Sequence, residues 1–168
     1  SRYDGIRYGH VTKDAQTLLE IYGKSRAEGF GDEAKRRIMT GTYVLSAGYR
    51  EAYYLKAQKV RRLLVNEFAA VFKKVDILLC PASPNVAPKI GGAADNPLFG
   101  YIADQLNIPA ALAGLAALCV PCGFGKPADS EAVELPVGLQ IIGPQWGEEK
   151  IFQAGHAYQQ ITDWHKQK

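Results

Sequence analysis

The hydrophobic period of this chain changes near residue 76, and that change limits the folds open to it. Before it, apolar side chains recur at helical spacing in three segments. Residues 12–28 carry Ala15, Leu18, Leu19 and Tyr22 on one stripe, with Thr12 placed as N-cap and Gly29 just past the end. A second helix is predicted from Asp32 as N-cap, with Ala34, Ile38, Gly41 or Thr42, and Leu45 along one face until Gly48 weakens it. The longest covers residues 51–74. It repeats Ala57, Val60, Leu64, Phe68, Val71 or Phe72, and Val75, while Lys56, Lys59, Arg61, Arg62 and Glu67 mark its other face. Residues 76–80 are instead a short, nearly continuous apolar run stopped by Pro81, and residues 118–122 and 137–142 repeat the pattern. Such runs suit strands buried on both faces. Pro81, Pro84, Pro88, Gly91, Gly92 and Pro97 punctuate a loop, with a short helix expected over residues 97–106, Pro97 at its first position. A polar linker at residues 126–134, where mobility is expected, joins the last two strands, and a closing helix covers residues 148–162. Helices followed by buried strands predict an α/β fold, layered α/β/α with a mixed or parallel sheet.

Composition narrows the class. The chain has 168 residues, 47% of them hydrophobic and 22% charged, enough for one sizeable core, so residues 1–168 read as a single domain. A net charge of +3 does not require a nucleic acid or an acidic partner. No apolar stretch approaches the roughly 18–20 residues of a membrane span, no signal-peptide pattern opens the chain, and the cytoplasm is the simplest location. Three cysteines, an odd number, argue for a reducing compartment rather than a disulfide framework.

The residues that could carry chemistry are few. Ser1, Ser25, Ser46, Ser83 and Ser130 lie in neither a Gly/Ser-rich loop nor a GxSxG elbow, so no catalytic residue is assigned. His10, His156 and His165 lack metal-ligand spacing. Cys119 and Cys122 form a CVPC pair in a strand-like run without a second pair or a nearby histidine. They are expected to be buried, reduced structural residues free of metal. The basic face of the long helix, with Tyr53 and Tyr54 at its start, reads as a solvated face rather than a tRNA-binding strip.

Several blocks, in order, resemble a known family. They are SRYDGIRYG at the start, EGFGDEAKRRIMTGTYVLSAGY at residues 28–49, EAYYLKAQKVRRLL at 51–64, VDILLCPASP at 75–84, ALAGLAALCVPCG at 111–123 and LPVGLQIIG at 135–143. Together they resemble the C-terminal part of an amidase signature enzyme, most of all the glutamine-hydrolysing A subunits of tRNA-dependent amidotransferases. The resemblance implies a partial amidase domain, opening at Ser1 inside a family block at a processing or gene boundary. The catalytic Ser, cis-Ser and Lys would lie upstream, and this chain alone would be inactive. Glutamine is the implied ligand, and the implied partners are the B and C subunits together with the N-terminal part of the parent enzyme. Glu-tRNA(Gln) would be an indirect partner. No cofactor is implied in this chain, with ATP and Mg bound by the partner.

The same resemblance assigns two substrate-binding residues. Arg37, in AKRRI, would hold the α-carboxylate of glutamine, and Asp104, in YIADQLNIPAALAG, its α-ammonium. The chemistry is coherent, since a planar guanidinium forks onto a carboxylate and a carboxylate pairs with an ammonium. Both residues would line one shared cleft, and Gly41, Val44 and Gly48, on the stripe of Arg37, would admit close approach. Ala111 and Ala116 replace the family's Asn and Pro around LAG, Cys119 its usual Ser and Arg50 its usual Tyr. Another small-amide hydrolase of this fold, or a non-catalytic scaffold or interaction module derived from it, are the alternative readings.

Overall fold

The computed structural model describes residues 8–92, 99–127 and 133–167. Two compact units divide the chain, one up to Ala57 and one from Gln58. The first unit contains α1, Leu18–Gly29, α2, Asp32–Leu45, and a π-helical turn, Glu51–Leu55. Thr17, not Thr12, caps α1. Its hydroxyl accepts from the Glu20 N–H at 3.2 Å, while the Glu20 carboxylate accepts from the Gln16 N–H at 2.8 Å. Thr12 belongs to an extended lead-in fastened to the later turns of α1. Its N–H donates to Ser25 Oγ at 3.0 Å and its hydroxyl to Glu28 Oε1 at 3.1 Å. Helix α2 starts after Gly31 as cap, which leaves Asp32 and Glu33 in the first turn, where carboxylates suit the helix dipole. Gly48 lies beyond this helix, at φ +84°, and therefore does not continue the stripe of Arg37.

The boundary falls in the first turn of α3, Lys56–Val71. Then follow β1, Leu78–Pro81, α4, Phe99–Ala103, and α5, Ile108–Ala113. The chain continues through β2, Ala117–Gly125, β3, Leu135–Ile142, α6, Glu148–Ile161, and a 3-10 turn, Trp164–Lys166. The α/β class holds. The sheet runs in the order β1-β3-β2 with both pairings antiparallel, where a mixed or parallel sheet is predicted from the sequence. Apolar runs report burial rather than strand direction, so this difference is of the kind a sequence hides. Nor are the strands buried on both faces throughout, since exposed and half-buried residues alternate along β1. Pro81 is part of β1, paired with Leu139, and β1 lies at an edge of this sheet, where a missing N–H is tolerated. A register shift between Pro121 and Gly123 bends β2. Pro97 and residues 128–132 of the expected linker lie outside the described residues.

One face of the sheet carries the core. Val120 and Ile141 are buried with Ala116 and with Ile151 of α6, and Leu118, Leu139, Ala154 and Tyr158 pack around them. Ile151, Ala154, Gly155 and Tyr158 follow helical spacing, so α6 presents one continuous stripe to the sheet. At Gly155 the approach is closest: a Cβ there would stand 2.6 Å from Leu118 Cδ2. An exposed ion pair, Lys150 Nζ to Asp76 Oδ1 at 2.7 Å, ties the start of α6 to the segment leading into β1. It holds the Asp76 carboxyl below its ordinary value of 3.8.

Candidate functional site

Arg37 belongs to the first unit, on α2, one turn after Glu33. Its Nε donates to Glu33 Oε1 at 2.7 Å, and Arg36 donates to Glu33 Oε2. The hydrogen bonds of Arg36, and after them those of Arg37, hold the Glu33 carboxyl below its ordinary value of 4.5. The Arg37 side chain is two-thirds exposed. Gly41, one turn further on, would carry a Cβ into open space, with no atom within 4 Å. Tyr43, in the last turn of α2, forms an aromatic cluster with Tyr49 and Tyr53, with ring centroids 4.4 to 6.2 Å apart. The hydrogen bond with Tyr49 raises the Tyr43 phenol above its ordinary value.

Asp104 belongs to the second unit, in the turn that joins α4 to α5. Its carbonyl closes the turn, accepting from the N–H groups of Asn107 at 3.0 Å and Ile108 at 2.9 Å. The residue is exposed. Helix α5 then ends on Gly114, whose φ of +72° suits glycine. Sequence periodicity misses α5 because six residues hold too few apolar repeats to reveal a stripe.

The sheet face opposite α6 holds a polar row that sequence reasoning also misses. Cys80, Gln140 and Cys119 stand opposite one another across β1, β3 and β2, and so point to the same side. Gln140 is only 6% exposed. Its Oε1 accepts from the Cys80 thiol at 3.2 Å, and its Nε2 donates to Asn107 Oδ1 at 2.6 Å. The signal in the sequence is a lone amide inside LPVGLQIIG, since a buried amide needs partners elsewhere.

The cysteines depart from expectation. Cys119 is exposed and Cys122 half-buried, because a sheet of three strands covers the polar row only in part. Cys119 Sγ nevertheless lies 2.7 Å from the place a Cβ on Gly138 would take, and this local burial, with the charge of Cys122 second, raises its thiol above 9.0. Burial likewise raises Cys80. Ser25 is buried as the acceptor of the Thr12 N–H, a structural role, and Ser46 bonds the Tyr43 carbonyl. His10 bonds Glu28. Among the described residues no three His, Cys, Asp or Glu side chains gather into a metal-binding group, and no helix is long and apolar enough to cross a membrane. Ala116, where the resembled family has proline, is part of the buried core.

Comparison with known proteins puts names beside this geometry. Residues 1–152 match the family described as Amidase. The chain is 54% identical over 165 residues to the A subunit of glutamyl-tRNA(Gln) amidotransferase from Methylobacillus flagellatus, covering 98% of this chain and 33% of that protein. With its counterpart from Geotalea daltonii the identity is 52% over 168 residues, covering 100% and 33%. The chain thus spans about a third of the length of the curated relatives it matches. Among solved structures, a serine-to-alanine variant of Kluyveromyces lactis allophanate hydrolase superposes with a TM-score of 0.56 at 26% identity, over 74% of this chain and 19% of that one.

Proposed function

The chain belongs to the amidase family, and from that premise we propose that it supplies part of the glutamine pocket and sheet in the A subunit of a tRNA-dependent amidotransferase. One observation carries the reading: the match to relatives of that name runs through 98% to 100% of the chain at 52% to 54% identity. In this reading Arg37 receives the α-carboxylate of glutamine and Asp104 its α-ammonium, so that both ends of a free amino acid are recognised at once. The guanidinium would share its donors between Glu33 and the ligand, and the space over Gly41 leaves room beside it.

Amide hydrolysis also needs an activated nucleophile, a base and donors for the developing oxyanion. The sequence settings of the five serines offer no such nucleophile. The Ser, cis-Ser and Lys groups are assigned to the remaining two thirds of the relatives' length. Ammonia released there would pass to a B subunit, which with a C subunit uses ATP and Mg to convert Glu-tRNA(Gln) to Gln-tRNA(Gln). Glutamine hydrolysis in this scheme belongs to the cytoplasm.

The test replaces the matching third of the Methylobacillus flagellatus protein with this chain and measures ammonia release from glutamine in the complex with its partner subunits. The chimera is expected to be active. Arg37→Ala is expected to lower its kcat/KM by about 30-fold or more, the scale of a lost charged hydrogen bond. The 168-residue chain alone is expected to release no ammonia above background. An inactive chimera, or one indifferent to Arg37→Ala, would overturn the reading. The likeness to an allophanate hydrolase supports a second reading, a pocket for another small amide. Release of ammonia from such amides, but not from glutamine, would favour it.

A further inference from the structure

We infer that Gln140 is a positioning residue for the Asp104 carboxylate and acts through the side chain of Asn107. The inference rests on the glutamine pocket proposed above and goes beyond it by naming what holds the ammonium-binding end in place.

Three features of the second unit lead to it. Gln140 is the one polar side chain of β3, the strand paired on both sides. Burying an amide there is costly unless both of its ends are bonded, and an apolar side chain would pack the site without that requirement. Both ends are bonded, Oε1 by the Cys80 thiol and Nε2 to Asn107 Oδ1 at 2.6 Å. Asn107 in turn closes the Asp104 turn through its own N–H, at 3.0 Å from the Asp104 carbonyl. A continuous line of bonds therefore runs from the central strand to the peptide unit of Asp104.

The turn needs such an anchor. Helix α4 has five residues and α5 has six, both far too short to hold their own geometry. The far end of α5 is fastened separately, by Arg61 Nε donating to the Leu112 carbonyl at 2.6 Å. Gln140 supplies the fastening at the near end, beside Asp104. Without it the turn would remain, but its carboxylate would wander by a fraction of an ångström or more, and substrate contacts are sensitive to displacements of that size.

The chimera described above provides the test, read by KM and kcat for glutamine together with the melting temperature. Gln140→Leu and Asn107→Leu are each expected to raise KM roughly five- to tenfold with kcat changed by less than about twofold, as expected for a lost ground-state contact. The double variant is expected to be no worse than the more affected single one, because the two act through one bond. Asn107→Asp keeps an Oδ acceptor for Gln140 Nε2 and is expected to retain a KM within about twofold of the parent. A lower melting temperature with unchanged KM in both leucine variants would overturn the inference, as would a KM in Asn107→Asp as high as in Asn107→Leu. Asp104→Asn separates the two levels. If it leaves KM unchanged, the glutamine pocket itself fails; if it raises KM while Gln140→Leu and Asn107→Leu do not, only the positioning role fails.

Discussion

Helices α2 and α6 are both 14 residues long and both show an apolar stripe, yet they bury it to opposite degrees. In α6, Ile151 is 2% exposed against the sheet, and Ile141 opposite it 1%. In α2 no residue is buried, and Ile38, Met39 and Leu45 are 53% to 71% exposed. Their glycines make the same contrast, with Gly155 against Leu118 and Gly41 facing open space. A helical period thus specifies a face, while its burial depends on the neighbours that fold supplies. The second unit has assembled a small core of its own, and the apolar residues of α2 have remained at the surface of the first.

The contrast can be broken most directly at the centre of that core. Ile141→Ala is expected to destabilise the second unit by about 2–5 kcal/mol, whereas Ile38→Ala in α2 is expected to stay within roughly 0.5 kcal/mol. Urea unfolding followed by hydrogen exchange at β3 and α2 amides compares them; equal losses would show that α2 is as well packed as α6. Substitution of the two glycines comes next. Gly155→Val should cost about 1–3 kcal/mol by overpacking against Leu118 and Val120. Gly41→Ala, by contrast, should stabilise α2 by about 0.5–1 kcal/mol, because it gains helix propensity and meets no atom. A destabilising Gly41→Ala would mean that something covers that face.

The smallest effect is electrostatic. Glu33 has its pKa lowered in the folded chain, so its contribution is full above the unfolded value of about 4.5 and is lost as pH falls through the lower folded value. Carboxyl NMR titration should place its midpoint below 4.5, and Arg36→Gln should bring it back up, with a slight loss of α2 helicity under acid. A midpoint indifferent to that substitution would remove the Arg36 hydrogen bond as its cause. Exposure of the pair keeps its effect on stability small.

Much of this arrangement is legible in the sequence. The closing helix is predicted over residues 148–162 and found as Glu148–Ile161, because fourteen residues give the 3.6 period room to show. Three apolar runs identify the three strands of the sheet, though β1 takes in Pro81 and β3 takes in Pro136, where an edge or a strand start tolerates proline. Thr12 is the instructive miss. Threonine can cap a helix or bond elsewhere, and Ser25 and Glu28, thirteen and sixteen residues away, decide the matter. Strand direction is hidden for the same reason, being fixed by partners rather than by local pattern. At the proposed site the family resemblance nominates Arg37 and Asp104, but the bond between Gln140 and Asn107 joins residues 33 positions apart and leaves no periodic trace.

The sheet order also has a consequence during synthesis. β1 and β2 never pair with each other; each waits for β3, and the partner of Cys80 lies 60 positions downstream. At roughly 5–20 residues per second, a ribosome leaves β1 unpaired for about 3–12 s after it is made. During that interval its exposed backbone and Leu79 are open to any other strand, and the ion pair of Asp76 with Lys150 has no second member. The arrival of β3 would then supply both outer strands with the partner that each lacks until that point.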